Sequence, residues 1–178
     1  GQDSASSYGH SFALLERLAA ASGSLGIIVG VNVLALGAVC MGAAPALRER
    51  ICEELRQGEQ CSLVLNEWDH GSDLRGTQTR AEPGRLSEGG AFVPTAGAEA
   101  PTHYRIPGTK DLIKGGGSNT GLITLVSVEG GDGARGLSLL AVRRNETVSV
   151  TRQWTTLPTP AADIASVRFS GTVVAADH

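Results

Sequence analysis

Hydrophobic and polar positions follow two regimes that meet at Gly58. Before it, apolar residues recur at helical spacing; after it, they fall in short, partly alternating runs separated by Gly, Pro, Asp and Asn. In the first regime, Ser11 is placed to cap a helix through Ala21, with Leu14, Leu15 and Leu18 on one stripe and Glu16 and Arg17 on the other face. Ser22-Gly23-Ser24 interrupts it. A second helix is predicted from about Leu25 to Gly42, and Ala44-Pro45 marks a break with proline at the first position of a third. That third helix carries Leu47, Ile51, Cys52 and Leu55 on an apolar stripe, turns Arg48, Glu49, Arg50, Glu53, Glu54 and Arg56 to water, and ends near Gln57-Gly58.

In the second regime the pattern predicts strands at Ser62 to Leu65, Thr77 to Ala81, His103 to Ile106, Gly121 to Val128, Gly136 to Val142, Val148 to Gln153 and Ala165 to Val174. Gly130-Gly131-Asp132-Gly133 and Arg144-Asn145-Glu146 supply turns. Gly84 to Pro101, rich in Gly, Ala, Pro and Glu, reads as an extended loop at a hairpin tip. The expected fold class is α+β, with a short N-terminal helical segment, residues 1–58, followed by an antiparallel β barrel or sandwich, residues 59–178.

No charged residue occurs between Arg17 and Arg48, so a membrane span competes with a buried helix for Leu25 to Met41. Gly26 and Gly30 even have the spacing used by membrane helix pairs. Asn32, the many Gly and Ala residues and the lack of basic or aromatic flanking anchors favour a buried bundle helix instead, and no membrane association is expected. At 178 residues and a net charge of −3, the chain is large enough for a sizeable core and lacks the basic run of a nucleic-acid footprint; Arg143-Arg144 reads as a solvated hairpin end. Cys40, Cys52 and Cys61 form no Cys-x-x-Cys pair, and Gly1 to Ser11 is too polar for a leader, so reduced, mostly buried thiols and a cytoplasmic location are expected.

Asp69, His70, Ser72 and Asp73 have the residue types of a hydrolytic triad or, with Glu67, a metal cluster. No Gly-x-Ser-x-Gly elbow surrounds Ser72, and the acids and histidine have no standard ligand spacing, so neither chemistry is assigned. The tract Gly115-Gly116-Gly117-Ser118-Asn119-Thr120-Gly121 lacks the Gly-Lys-Ser/Thr ending of a phosphate loop and precedes a strand, not a helix.

Two segments carry a more specific signal: Val64-Leu65-Asn66-Glu67-Trp68-Asp69-His70-Gly71-Ser72-Asp73 and Gly108-Thr109-Lys110-Asp111-Leu112-Ile113-Lys114-Gly115-Gly116-Gly117. Together they resemble the flavin-facing loops of the acyl-CoA dehydrogenase family, which read roughly Val-Thr-Glu-Pro-Gly-Ala-Gly-Ser-Asp and Gly-Thr-Lys-Met-Trp-Ile-Thr-Asn-Gly-Gly. Further matches are Gly136 to Val142, Trp154-Thr155-Thr156-Leu157 and Val167 to Val174. The resemblance implies an N-terminal helical domain, a middle β domain and a C-terminal helical bundle, with FAD between the last two. This sequence matches the middle piece and part of the first. It also implies FAD contacts at Leu63, Leu65, Asn66, Ser72, Leu112, Ile113 and Lys114, with Ser72 facing an acyl thioester as well, and places no catalytic base and no metal ligand on this chain. Departures fall at the same positions: Asn66 for a threonine, Trp68 for a proline, Leu112 for a tryptophan and Lys114 for a threonine.

The resulting expectation is a subunit of a split acyl-CoA dehydrogenase-like flavoenzyme in a homo- or hetero-oligomer. It would contribute half of a site for α,β-dehydrogenation while a separate polypeptide supplies the C-terminal helical domain and the base. The alternative is a non-catalytic scaffold subunit that has lost flavin; a piece of a longer enzyme is the third reading.

Overall fold

The computed structural model describes residues 2–95, 100–128 and 136–176, in which three helices precede a mixed β sheet. Helix α1 (Gln2–Ala21) starts well before Ser11. No proline interrupts Gln2 to His10, so Ser11 has helix on both sides and no open N-terminus to cap. Of the predicted stripe, Leu15 and Leu18 are half-buried and Leu14 is exposed. Helix α2 (Gly23–Gly42) is capped by Ser22, whose side chain accepts from the Leu25 N–H. It crosses α1 closely at Gly26, where a Cβ would lie 2.7 Å from that of Ala19. Helix α3 (Pro45–Arg56) begins on its proline as expected.

The expectation of a buried α2 holds on one stripe only. Ala35 and Val39 join Leu47 and Ile51 of α3, Cys61 and Ile123 in the smaller of two cores. Leu34 is 61% exposed and Met41 81%. Among the described residues α2 is the one helix long and apolar enough to cross a membrane. The one carboxamide of α2 has a structural task. Asn32 donates to the Ile28 carbonyl and accepts from the Cys61 N–H at 2.8 Å, tying the helix to the first strand. All three cysteines are free, and Cys40 is exposed on the open face of α2 instead of buried.

Among the described residues the strands are β1 (Cys61–Val64), β2 (Arg80–Leu86), β3 (Phe92–Pro94), β4 (His103–Ile113), β5 (Gly121–Val128), β6 (Leu137–Arg143), β7 (Val148–Trp154) and β8 (Ile164–Ala175). They lie in the order β1-β5-β2-β4-β8-β7, with β3 on β2 and β6 on β5. The sheet is mixed, not antiparallel throughout: β5 runs parallel to both β1 and β2. Its continuous Leu122-Ile123-Thr124-Leu125-Val126 is buried on both faces, the composition a strand needs between such neighbours. The main core gathers Val64, Ile106, Ile113, Leu122, Val126, Val142, Val167 and Phe169.

Two boundaries shift for identifiable reasons. The expected strand at Thr77 begins only at Arg80, because the Gln78 and Thr79 N–H groups bond to the Glu67 carboxylate instead of a sheet ladder. The Gly84–Pro101 segment contributes a hairpin, β2 to β3, closed by Ser87 and Ala91 and covered by the Arg105 guanidinium 4.8 Å from the Phe92 ring. Residues 96–99 and the expected turn at 130–133 lie outside the described residues.

Candidate functional site

Strand β4 runs past the expected Ile106 to Ile113 and carries two irregularities against β8. At the first, Gly171 is the extra residue, with φ +77, where glycine is free of the Cβ penalty. At the second, three steps from Lys110 to Ile113 face two from Val167 to Ala165, so β4 holds the extra residue, and Leu112 takes φ 54. A leucine in the left-handed region costs on the order of 1–2 kcal/mol relative to an ordinary conformation. The bulge turns Leu112 out of the sheet alternation, leaving it 39% exposed beside Ile113 and Lys114.

Those residues form one side of an open cleft of about 440 Å³. Leu63, Leu65 and Asn66 from β1 and the residues after it line it, and α2 closes the opposite side with Ile27, Val31 and Leu34. Six of the seven residues expected to face a cofactor thus converge from two distant segments. Ser72 is the exception: it sits exposed on the connection between β1 and β2, outside the lining of this cleft. Asn66 and Lys114 supply its polar side chains.

Several bonds fix the two segments relative to each other. The Asp111 N–H donates to the Asn66 carbonyl at 2.9 Å, and Ser62 Oγ donates to the Lys114 carbonyl at 2.6 Å while accepting from Asn119 Nδ2 at 2.8 Å. Arg144 donates to the carbonyls of Gly116 and Asn119. It is therefore a half-buried brace of the glycine tract, unlike its exposed neighbour Arg143, which pairs with Glu54 at 2.9 Å. Asp163, itself at φ 48, accepts from Ser118 and Gln153 on the far side of the tract.

The strongest tie was not anticipated. Lys110 is fully buried, and its Nζ lies 2.8 Å from Glu67 and 3.2 Å from the Leu65 carbonyl. Burial pushes the Glu67 carboxyl up, but donors from Lys110, Thr79 and Gln78 outweigh it and bring the pKa to about 2. On Lys110 the balance goes the other way, with burial lowering its pKa against the pull of Glu67. The carboxylate is thus secured by its full set of donors, backbone N–H groups included, and not by the lysine charge alone. The signal was present in the chain, since both residues lie inside the two quoted segments, but an acid and a base forty-three positions apart announce a pair only after β4 is laid beside β1.

The remaining candidates stay apart from the cleft. Glu67-Trp68-Asp69-His70 makes a tight turn, with the His70 N–H donating to the Glu67 carbonyl at 3.1 Å. His70 contacts Gln78 and lies 3.7 Å from Asp73. No group of three potential metal ligands comes together among the described residues. Trp68 stacks on Trp154 at 5.7 Å with planes 10° apart, which accounts for a bulky residue at that turn. Trp154 Nε1 in turn donates to Ser166, and Ser166 to Asp111, linking the stack to the end of β4.

No protein-family profile and no curated protein matches the chain. Solved structures do. The chain is similar to a probable acyl-CoA dehydrogenase from Mycobacterium abscessus at 26% identity and a TM-score of 0.72, covering 88% of this chain and 38% of that one. It is similar to butyryl-CoA dehydrogenase from Megasphaera elsdenii at 18% identity and a TM-score of 0.73, covering 92% and 39%. A prolyl acyl carrier protein oxidase shares 16% identity at a TM-score of 0.72, over 86% and 37%. The chain therefore spans under two fifths of the length of these structural relatives.

Proposed function

Because the chain is an acyl-CoA dehydrogenase-like protein spanning part of that fold, we propose that it contributes half of an FAD and acyl-thioester site whose other half, including the catalytic base, lies on a separate polypeptide. The observation that supports this reading is the convergence of Leu63, Leu65, Asn66, Leu112, Ile113 and Lys114 on one cleft beside α2. A flavin ring system has an apolar edge and an edge of amide-like donors and acceptors. The cleft has matching chemistry, with leucine and isoleucine side chains, one carboxamide and one ammonium group. FAD, when bound, supplies the acceptor for hydride removed from the β-carbon of an acyl thioester. The chain's own part is orientation and exclusion of water. The Glu67–Lys110 pair and the Asp111–Asn66 bond hold the two walls in register, and the aliphatic lining keeps the cleft apolar.

Size-exclusion chromatography of the natively purified protein, with visible absorbance and mass identification of co-eluting chains, tests the proposal. A yellow complex with a helical partner at one FAD per cleft supports it. A stable, colourless monomer that takes up no FAD overturns it. The scaffold alternative rests on Leu112 and Lys114 facing the cleft where the resemblance calls for tryptophan and threonine. If these two changes alone disabled the pocket, Leu112→Trp with Lys114→Thr raises flavin content; unchanged flavin content rejects that explanation.

A further inference from the structure

Among the described residues, two that are not glycine take positive φ, Leu112 at 54 and Asp163 at 48. They lie far apart in sequence but flank one pairing, Ile113 with Ala165, at which the ladder between β4 and β8 resumes after the bulge. Counted alternately from buried Lys110, an unbulged strand would bury Leu112 and expose Ile113; the extra residue reverses them. Leu112 gains from any slip that returns it to ordinary strand geometry, so the bulge must be held from both sides. On its N-terminal side the Lys110–Glu67 pair and the Asp111–Asn66 bond do this. On its C-terminal side the chain turns back through the glycine tract onto the start of β8. There the Gly115 N–H donates to the Ala162 carbonyl at 3.1 Å, and the Asp163 carboxylate accepts from Ser118 Oγ at 2.6 Å and Gln153 Nε2 at 3.0 Å. The tract passes so close that a Cβ at Gly117 would collide with that carboxylate. An aspartate usually tolerates the left-handed region by bonding locally, yet both oxygens of Asp163 reach other segments.

We propose that Asp163 is the positioning residue of the sheet-side wall of the cleft: by clasping Ser118 of the glycine tract and Gln153 of β7, it fixes the tract against β8 and keeps Leu112 in the left-handed bulge, turned to the cleft. Without the clasp the tract is free to follow the leucine as it relaxes, and the wall moves with it. Asp163 is not among the residues lining the cleft, so it acts through Leu112 and not on a bound molecule. Arg144 works on the same side. It donates to the carbonyls of Gly116 and Asn119, and the Asp163 carboxylate favours its charged form. The inference rests on the proposed site only for the purpose of the wall; the clasp itself is a property of the chain alone.

Amide hydrogen exchange of the full chain, read residue by residue, is the test. Asp163→Gly keeps a residue that accepts φ 48 but removes the clasp, so its effect is that of the carboxylate and not of the turn. Loss of the two bonds should speed exchange of the Gly115 amide roughly tenfold and, because the wall moves as a unit, of the Asp111 amide by a similar factor. The Ser127 amide, bonded to Thr79 at the opposite end of β5 from the tract, should stay within about twofold. Asp163→Asn, whose carboxamide can meet the same partners, should keep both rates within about twofold of the unaltered chain. In a Leu112→Gly chain the strain is gone, so adding Asp163→Gly should leave Asp111 exchange nearly unchanged. Ser118→Ala, at an exposed position, removes one of the two bonds and gives the same pattern at smaller size, so the test stands even where Asp163→Gly does not fold. Acceleration confined to Gly115 overturns the inference, as does an Asp111 response that persists at full size in the Leu112→Gly chain. A colourless chain showing the full pattern overturns the flavin proposal alone. A yellow complex whose Asp111 exchange ignores Asp163 does the reverse.

Discussion

The β sheet and the helical layer of this chain solve the burial problem to different degrees. In the sheet, Val64, Ile106, Leu122, Val126 and Val167 are completely enclosed, and Phe169 is nearly so. In the helices, α2 is as apolar as any strand yet hides little beyond Ala35, Val39 and Ser24, while Phe12, Leu14, Leu34 and Met41 stand in solvent. Among the described residues the sheet encloses its apolar side chains, whereas the helical layer leaves an apolar face open. The candidate cleft lies on the seam: its rigid wall belongs to the finished sheet, and its other wall, α2, to the unfinished layer.

The sharpest way to break this comparison is to damage the finished half. Phe169→Ala is expected to cost about 3–5 kcal/mol in urea unfolding, from lost transfer energy and the cavity left behind. Lys110→Met should cost a similar amount, about 3–5 kcal/mol, because it strands the buried Glu67 carboxylate without its ammonium partner. Pairing it with Glu67→Gln removes the stranded charge, so the double variant should lose less than the sum by roughly 0.5–3 kcal/mol. Strict additivity would mean that the 2.8 Å pair is energetically irrelevant.

The same pair sets an acid limit. The folded-state pKa of Glu67 lies below its unfolded value, at about 2 against 4.5. Its stabilisation is therefore fully present above pH 4.5 and lost as the pH falls through that window. Urea midpoints measured from pH 6 down to pH 2.5 should fall more steeply for the unaltered chain than for the Glu67→Gln/Lys110→Met double variant. Parallel curves would remove Glu67 as the cause.

These features differ in how openly the chain displays them. The helices and most strands were legible because each depends on local periodicity: Pro45 opens α3, and the apolar run Leu122 to Val126 is buried as its composition requires. The parallel pairings of β5 were not legible, since strand direction depends on connections that no local pattern encodes. The delayed start of β2 was hidden for a similar reason. The N–H groups of Gln78 and Thr79 are diverted by Glu67, a carboxylate eleven and twelve residues away. Within the site, resemblance picked out the cleft residues, but only the structure separates Ser72 from the rest and gives Leu112 its bulge.

That bulge yields a smaller effect of opposite sign. Leu112→Gly relieves the left-handed backbone and forfeits only a partly buried side chain, so stability should rise by about 1 kcal/mol or less. The gain is expected to accompany weaker ligand binding, because the leucine wall of the cleft is gone. A loss of stability would show that Leu112 is held by packing that outweighs its strain.

The smallest effect belongs to the unfinished half and sharpens the comparison most. Leu34 is 61% exposed on α2, so Leu34→Ala should change the stability of the isolated chain by no more than about 0.5 kcal/mol, against the several expected at Phe169. Leu34→Glu tests the other side of the contrast, because a solvated helix face tolerates a carboxylate whereas a face covered by a partner does not. In the isolated chain the glutamate variant should unfold at the same urea concentration as the alanine variant. Within the complex proposed above it should weaken association, seen as earlier dissociation on dilution. Equal dissociation of the unaltered and Leu34→Glu complexes would place the partner elsewhere and leave the exposed stripe of α2 without a role in assembly.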